Sequence, residues 1–343
     1  MILAFPAWRR GFCKTTGSVI DEAFARGHQV HLIHRDEDKP GERVTMIELA
    51  RRWPAAWISD LGQVSLADAL IGPNVDRFRP VGFSGLMYSL DYAWEQVTMV
   101  GGNWPTLHLC WASLYQQTLH RSLSPWRNYA GEIVTGSTML DDFGSPSTIA
   151  TDVLLFSLKF PRNAGLWRHT WYRYVGYFNL MTALRHFCDR TRRHLIVKTR
   201  EKNNDPWFVR WLADEIITDD GALWPHVSLD RLRSAALAVH FQSGAALEAA
   251  SLGVPQLSVH IPHPHLRDYP AHHEVYEASP GMQDWPGVVV GLGWEAAIGY
   301  LEDLEVPPPV NREARAAYVK RFLEFDDGRA ASRVLDVVES GGS

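Results

Sequence analysis

Three cysteines stand in 343 residues: Cys13, Cys110 and Cys188, far apart and without CxxC spacing. That scarcity excludes a disulfide framework and a zinc ribbon, and it fits a reducing compartment. Positive charge is not in surplus either. Lys plus Arg is 34 against 39 Asp plus Glu, a formal net charge of −5. A chain of that sign argues against non-specific nucleic-acid binding, which needs a basic face, while leaving room for a local basic groove. No uninterrupted apolar run approaches the ~20 residues of a membrane-spanning helix. Few apolar residues precede Arg9 and Arg10, which is too short a run, in the wrong charge order, for a secretory signal. Low-complexity segments and short repeats are absent. With 46% hydrophobic and 21% charged residues, the composition excludes disorder, collagen-like repeats and coiled coil as the main architecture. These absences predict an intracellular, cytoplasmic globular protein. At roughly 150 residues per domain, the length predicts two domains, each able to bury a core. One residue type is abundant instead: 14 Trp stand beside 14 Phe and 11 Tyr, a large stacking and packing surface.

Short apolar runs alternate with longer amphipathic ones, the pattern of a parallel α/β sheet. In the first half, strands are predicted at Ile2–Phe5, Gln29–His34, Ala56–Ile58, Leu86–Tyr88, Thr106–Leu109 and Glu132–Val134. A loop is expected over Pro6–Thr16, then a helix near Ser18–Arg26 closed by Gly27. The second half repeats the alternation. Its strands are Val153–Ser157, His194–Lys198, Ile216–Ile217, Ala236–Phe241 and Gln256–His260, with helices at Arg173–Thr191, Pro206–Asp214, Leu229–Ala235 and Gly244–Leu252. Helices at Asn311–Glu324 and Ala330–Glu339 follow. The turn-rich Gly144–Thr151 stretch marks the junction.

The most informative segment runs from Ala236 to His260. An apolar strand ends at Phe241, Gln242–Gly244 make a tight turn, and a helix starts at once with Glu248 in its second turn. Unpaired N–H groups at Gly244–Ala246 and the helix dipole favour a phosphate there. A carboxylate about one turn further in can accept from both hydroxyls of a ribose. The bland alternative is a plain strand–turn–helix packing unit.

Ser243, Glu248, Ala249, Gly253 and Pro255 resemble, residue by residue, the S-x-x-x-x-E-A-x-x-x-G-x-P pattern of GT-B glycosyltransferases and their relatives. Three further stretches are similar to segments of that superfamily: Arg26–Val30 at the end of the first βα unit, Val134–Asp141 before the interdomain linker, and Asp327–Arg333 near the end of CDP-glycerol-transferase-like and surface-polysaccharide enzymes. One departure stands out. Where many CDP-glycerol transferases and UDP-sugar epimerases carry a His after a mid-domain strand, this chain has Trp111, and His108 lies earlier.

The resemblance implies a GT-B fold: two Rossmann-like α/β domains facing each other across a cleft. Residues 1–147 would form the acceptor side and 148–310 the nucleotide-donor side, with the 311–343 helices packing back across the junction. It implies an enzyme, a glycosyltransferase with a nucleotide sugar as co-substrate, UDP the favoured nucleotide, and no cofactor or metal. The acceptor would be a glycan, a lipid-linked molecule or a small molecule. Alternatives on the same fold are an epimerase or hydrolase of nucleotide sugars, a CDP-polyol phosphotransferase, a non-catalytic nucleotide- or glycan-binding module and, against the net charge, a transferase acting on nucleic-acid bases.

The donor site would use Gln242, Ser243, Gly244, Ala245 and Glu248, with His226 and Val227 at the base and Trp224 either under the base or in the core. Lys159 and Arg162, after one strand, and Lys198 and Arg200, after the next, would neutralise the diphosphate leaving group. That fits the lack of a DxD sequence, since Asp141-Asp142 and Asp219-Asp220 are adjacent pairs. Arg10, Gly11, Lys14 and Trp111 would meet the acceptor, and Asp91 is the favoured general base, with Glu95, Asp36 and Glu37 as competitors. His260, His263, His265, His272 and His273, with Asp268, make a dense histidine segment open to three readings: donor contact, metal, or surface loop. Trp167, Trp171, Trp207 and Trp211 are expected to be packing residues. Trp8, Trp94, Trp104, Trp111 and Trp126 are expected to face the cleft, part of them as an acceptor surface.

Overall fold

The computed structural model describes residues 1–35, 43–60, 64, 66–73, 75, 83–90, 106–113, 129–141, 150–158, 167–199, 205–218, 223–225, 227–261 and 280–341, without the side chains of 106, 129, 130, 167–171 and 227–229. Two compact units divide the chain. Met1–Gly144, Gly221–His226 and Val319–Ser343 form the first, and Ser145–Asp220 with Val227–Tyr318 the second.

In the first unit β1 (Ile2–Pro6), β2 (Gln29–His34), β3 (Trp57–Asp60), β4 (Ala69–Gly72), β5 (Leu86–Leu90), β6 (Thr106–Cys110) and β7 (Tyr129–Val134) form one parallel sheet, in the order β3-β2-β1-β4-β5-β6-β7. Strands covered on both faces read as continuous apolar runs, and Leu3, Ala4 and Phe5 of β1 are fully buried. The strand β4, Ala-Leu-Ile-Gly, is one that sequence reasoning passes over.

Helix α1 spans Arg10–Ala25, so the expected Pro6–Thr16 loop is only three residues long. Gly11, Thr15, Thr16 and Gly17 are poor helix formers, yet the helix forms because its inner face is buried at Phe12, Cys13, Val19, Ile20 and Ala23. Both threonine hydroxyls donate back to carbonyls one turn earlier, Thr15 to Gly11 and Thr16 to Phe12. A second helix, α2 (Met46–Arg52), starts with a capping box: the Glu48 N–H donates to the Thr45 hydroxyl and the Thr45 N–H to the Glu48 carboxylate.

Three of the four segments that resemble the GT-B superfamily meet in this unit, on the C-terminal helix α9 (Ala330–Glu339). Asp141 caps it, accepting from the Ala330 N–H at 2.8 Å and the Ala331 N–H at 2.5 Å. Burial pushes the Asp141 carboxyl up to about 6 against the pull of those two N–H groups and of Arg333, with Asp327 adding to the rise. Arg333 donates to the Thr135 carbonyl, forks onto Asp327 and lies 4.0 Å over the Phe325 ring. Arg26 reaches the Ser332 hydroxyl, Asp336 and Glu339. On the apolar side Ala331, Val334, Leu335 and Val338 enter the core of the first unit. These signature residues therefore hold a helix in place.

The short stretch Leu223–Pro225 also belongs to the first unit. Leu223 and Trp224 sit in its core. A Cβ on Gly17 would lie 2.2 Å from Cγ of the indole, so α1 carries glycine where Trp224 crosses it. Arg52 donates to the Trp224 carbonyl at 2.6 Å and pairs with Asp21, which also accepts from the Trp53 indole N–H. Of the two alternatives for Trp224, the core is the one observed.

The second unit comprises β8 (Asp152–Phe156), α3 (Trp167–Thr191), β9 (His194–Lys198), α4 (Val209–Leu212), β10 (Glu215–Ile217), α5 (Val227–Arg233), β11 (Ala235–His240), α6 (Ala245–Leu252), β12 (Gln256–His260), β13 (Val289–Gly293), α7 (Trp294–Asp303) and α8 (Arg312–Phe322) as far as Tyr318, the rest of α8 being counted with the first unit. Its parallel strands follow the order β10-β9-β8-β11-β12-β13, a doubly wound sheet whose order reverses between β8 and β11. Helix α4 is shorter than the expected Pro206–Asp214, and α3 begins six residues earlier than expected. β13 and α7 lie in a stretch left unread in the sequence. The core runs through Val153, Leu155, Leu184, Phe187, Leu237, Val239, Leu257 and Trp294. Among the described residues, no helix is long and apolar enough to cross a membrane.

Candidate functional site

In a doubly wound sheet, ligands gather at the carboxyl ends of the strands, beside the point where strand order reverses. In the second unit that point lies between the ends of β8 and β11. After β8, the Ser157 hydroxyl donates to Asp205, and so does the hydroxyl of Thr199 at the end of β9. Lys198, buried at the same end, donates to the Thr199 carbonyl at 3.2 Å.

After β11 the chain turns through Phe241–Gly244. Gln242 sits at φ 43°, a left-handed conformation uncommon for a residue with a Cβ. Its side-chain carbonyl accepts from the Ile261 N–H at 3.0 Å, tying the turn to the end of β12. Gln283 extends the tie: its amide donates to the Ser243 carbonyl and its side-chain oxygen accepts from the buried Ser258 hydroxyl. The Gln283 carbonyl in turn meets His260 Nε2 at 3.2 Å. Helix α6 starts at Ala245, one residue later than expected, so Glu248 lies in its first turn.

The start of α6 also differs from the expected row of open N–H groups. Ala245 N–H donates to the Ser243 hydroxyl and Ala246 N–H to the Ser243 carbonyl, both at 3.2 Å. The serine supplies the bonds a helix start leaves unmade. Gly244 faces open space: a Cβ there would meet nothing within 4 Å. Glu248 is buried. Beneath it the fully buried His240 bonds Gln256 through Nε2 at 3.1 Å. Burial drives that imidazole down to about 4, with the Gln256 bond and the Glu248 carboxylate opposing the fall and His260 adding to it. His240 is therefore neutral at physiological pH.

Gln242, Ser243, Gly244, Ala245 and Glu248 are thus brought together at one sheet edge. Lys198 ends β9 of the same sheet. Val227 opens α5, with its side chain outside the described residues. Asp91, Lys159, Arg162, Arg200 and His226 lie outside the described residues, as do Asp36, Glu37, Glu95 and every member of the histidine segment except His260.

In the first unit Arg10, Gly11 and Lys14 sit on the first turns of α1 rather than on a loop. One Arg10 nitrogen donates to Glu48 at 2.6 Å, while Nε and Nη1 are buried without a partner among the described residues. Trp111 is buried at the end of β6, as is Trp8 beside α1. His108 is buried within β6, where desolvation lowers its imidazole to about 4. After Trp111 the Ser113 N–H and hydroxyl both donate to Glu324. Of the tryptophans sorted in the sequence, four can be placed, and their exposure does not follow the expected division. Trp207 and Trp211, expected as packing, are 60% and 79% exposed, whereas Trp8 and Trp111, the two of the expected cleft tryptophans that can be placed, are buried. Trp94, Trp104 and Trp126, and the side chains of Trp167 and Trp171, lie outside the described residues. Gln283, which braces the turn after β11, was not singled out in the sequence, and no local pattern marks it.

No protein-family model and no curated protein matches the sequence. Solved structures do match the fold. A candidate UDP-N-acetylglucosamine 2-epimerase from Listeria monocytogenes is 15% identical, with a TM-score of 0.56 over 99% of this chain and 96% of that one. The wall teichoic acid polymerase TagF is 11% identical, with a TM-score of 0.57 over 99% and 88%. Arabidopsis thaliana UGT89C1, solved in complex with UDP, is 10% identical, with a TM-score of 0.56 over 99% and 98%. At these identities the likeness is one of fold. With a doubly wound parallel sheet in each of its two units and these neighbours along its whole length, the chain has the GT-B fold.

Proposed function

We propose that this chain is a glycosyltransferase that moves a sugar from a nucleoside-diphosphate donor, with UDP the favoured nucleotide, to a glycan, lipid-linked or small-molecule acceptor. The observation that carries the reading is the braced turn after β11. A strained Gln242, an open Gly244 and a carboxylate in the first turn of α6 converge at a carboxyl sheet edge of a GT-B fold. Gly244 gives a diphosphate close access to the helix start, and a pyrophosphate oxygen can replace the Ser243 hydroxyl on the Ala245 N–H. Glu248 would accept from the ribose hydroxyls. Lys198, with Lys159, Arg162 and Arg200, would balance charge on the departing diphosphate, and no metal is called for in that scheme. His226 and Val227 would meet the base. On the acceptor side, Nε and Nη1 of Arg10, without a partner among the described residues, would donate to an anionic group, with Gly11, Lys14 and Trp111 also meeting the acceptor and Asp91 as general base.

The test is nucleotide release. UDP-, GDP-, CDP- and dTDP-sugars are incubated with and without an acceptor panel, and free nucleoside diphosphate is measured. Acceptor-dependent release supports transfer. Release of equal rate without any acceptor replaces transfer by a hydrolase or epimerase reading, and binding without release replaces it by a binding module.

A further inference from the structure

The second unit leaves a contiguous aromatic surface in water. On α3, Tyr172, Val175 and Phe178 are all exposed, three residues apart along one helical stripe. Beside them Trp207 and Trp211 pack against each other with ring centres 5.1 Å apart. The buried Phe208 joins the two groups, 5.2 Å from Phe178 and 6.0 Å from Trp207. An exposed apolar patch of this kind marks an interaction surface.

The helix that bears the first three is basic, with four arginines against a single aspartate along its sequence. Asp214 and Asp189 are both held by Arg185, Glu215 by Arg231, and Asp205 by two hydroxyls. Arg210, exposed between the two tryptophans, has no ion-pair partner among the described residues. The sequence from Val153 to Cys188 contains no acidic residue at all, in a chain whose net charge is −5. Five apolar side chains fall well short of the roughly 20–30 residues a side that a stable protein interface uses. Indole and phenol rings with an unpaired guanidinium suit a lipid headgroup region, where an amphipathic ring sits at the boundary and the cation meets anionic lipid.

We infer that the face formed by Tyr172, Val175, Phe178, Trp207, Arg210 and Trp211 seats the second unit peripherally on an anionic lipid bilayer. The probes are vesicles of phosphatidylcholine alone and vesicles of equal parts phosphatidylcholine and phosphatidylglycerol, with bound protein measured by flotation. The protein should float with the anionic vesicles, and less so at high salt. Trp207→Ala/Trp211→Ala should lower the partition coefficient about tenfold or more. Trp57→Ala should leave it unchanged, since Trp57 is 62% exposed but belongs to the first unit. Should the double variant fail to fold, Trp211→Ala and Arg210→Glu, both at exposed positions, serve in its place. No binding to anionic vesicles overturns the inference, and so does an equal loss with Trp57→Ala. A patch that instead holds two copies together would show as a fall in mass of the double variant by light scattering, with no vesicle binding by the unaltered protein.

Discussion

Gly17→Ala isolates the crossing of α1 by Trp224. The new Cβ would stand 2.2, 2.5 and 2.6 Å from three atoms of that side chain, against about 3.5–4.0 Å for ordinary carbon contacts. Trp224 has little room to yield, because its ring lies in the core and Arg52 holds its carbonyl. Overpacking of this kind costs about 1–3 kcal/mol. Replacing glycine by alanine inside a helix returns about 1 kcal/mol, so the net change is a loss of up to about 2 kcal/mol. Trp224→Ala alone should cost about 3–5 kcal/mol. It also clears the space above Gly17, and in that background Gly17→Ala should stabilise by up to about 1 kcal/mol. The coupling between the two sites is then the overpacking term, about 1–3 kcal/mol. Urea unfolding of the four proteins, followed by tryptophan fluorescence and far-ultraviolet circular dichroism, measures it. Equal effects of Gly17→Ala in both backgrounds would show that residues 223–225 are not packed on α1.

Three other outcomes follow from the structure. The Asp141 carboxyl rises from 3.8 to about 6 on folding, so the native state binds the extra proton in that window. Its stabilising contribution is fully present below pH 3.8 and is lost as pH climbs through about 6. Melting temperatures of the wild type and Asp141→Asn, taken across that range, should differ in slope, the variant lacking this component. Arg333→Ala removes the bonds to Thr135 and Asp327 and the stacking on Phe325. Amide exchange in α9 should then accelerate before that of β1 changes. Glu248→Gln should weaken binding of a nucleoside diphosphate by about tenfold, the loss of roughly 1.4 kcal/mol, while α6 stays folded by amide exchange.

Apart from β4 and β13, the strands were legible because buried parallel strands spell themselves as apolar runs, and the turn after β11 was legible because glycine and a helix start mark it. The start of α1 was not. Gly11, Thr15, Thr16 and Gly17 carry loop propensities, and only burial against β1 and Trp224 makes them helical. α2 could have been found, since Thr45 and Glu48 form a capping box at the ordinary spacing. The four sorted tryptophans that can be placed depart from expectation because exposure of an indole is decided by which elements pack over it. Trp207 and Trp211 stand exposed at the short α4, whereas Trp111 is buried just after β6 and Trp8 is buried with its ring against that of Phe12 on α1. The segments similar to the GT-B superfamily pointed to the fold correctly. Three of them do so through the docking of α9, and one through the sheet edge proposed for the donor.

Titration of UDP into the protein by calorimetry, beside Glu248→Gln, tests the account most directly. The account predicts one saturable site per chain whose affinity falls about tenfold in the variant. No heat with UDP, GDP, CDP or dTDP, or equal affinity in both proteins, would contradict it.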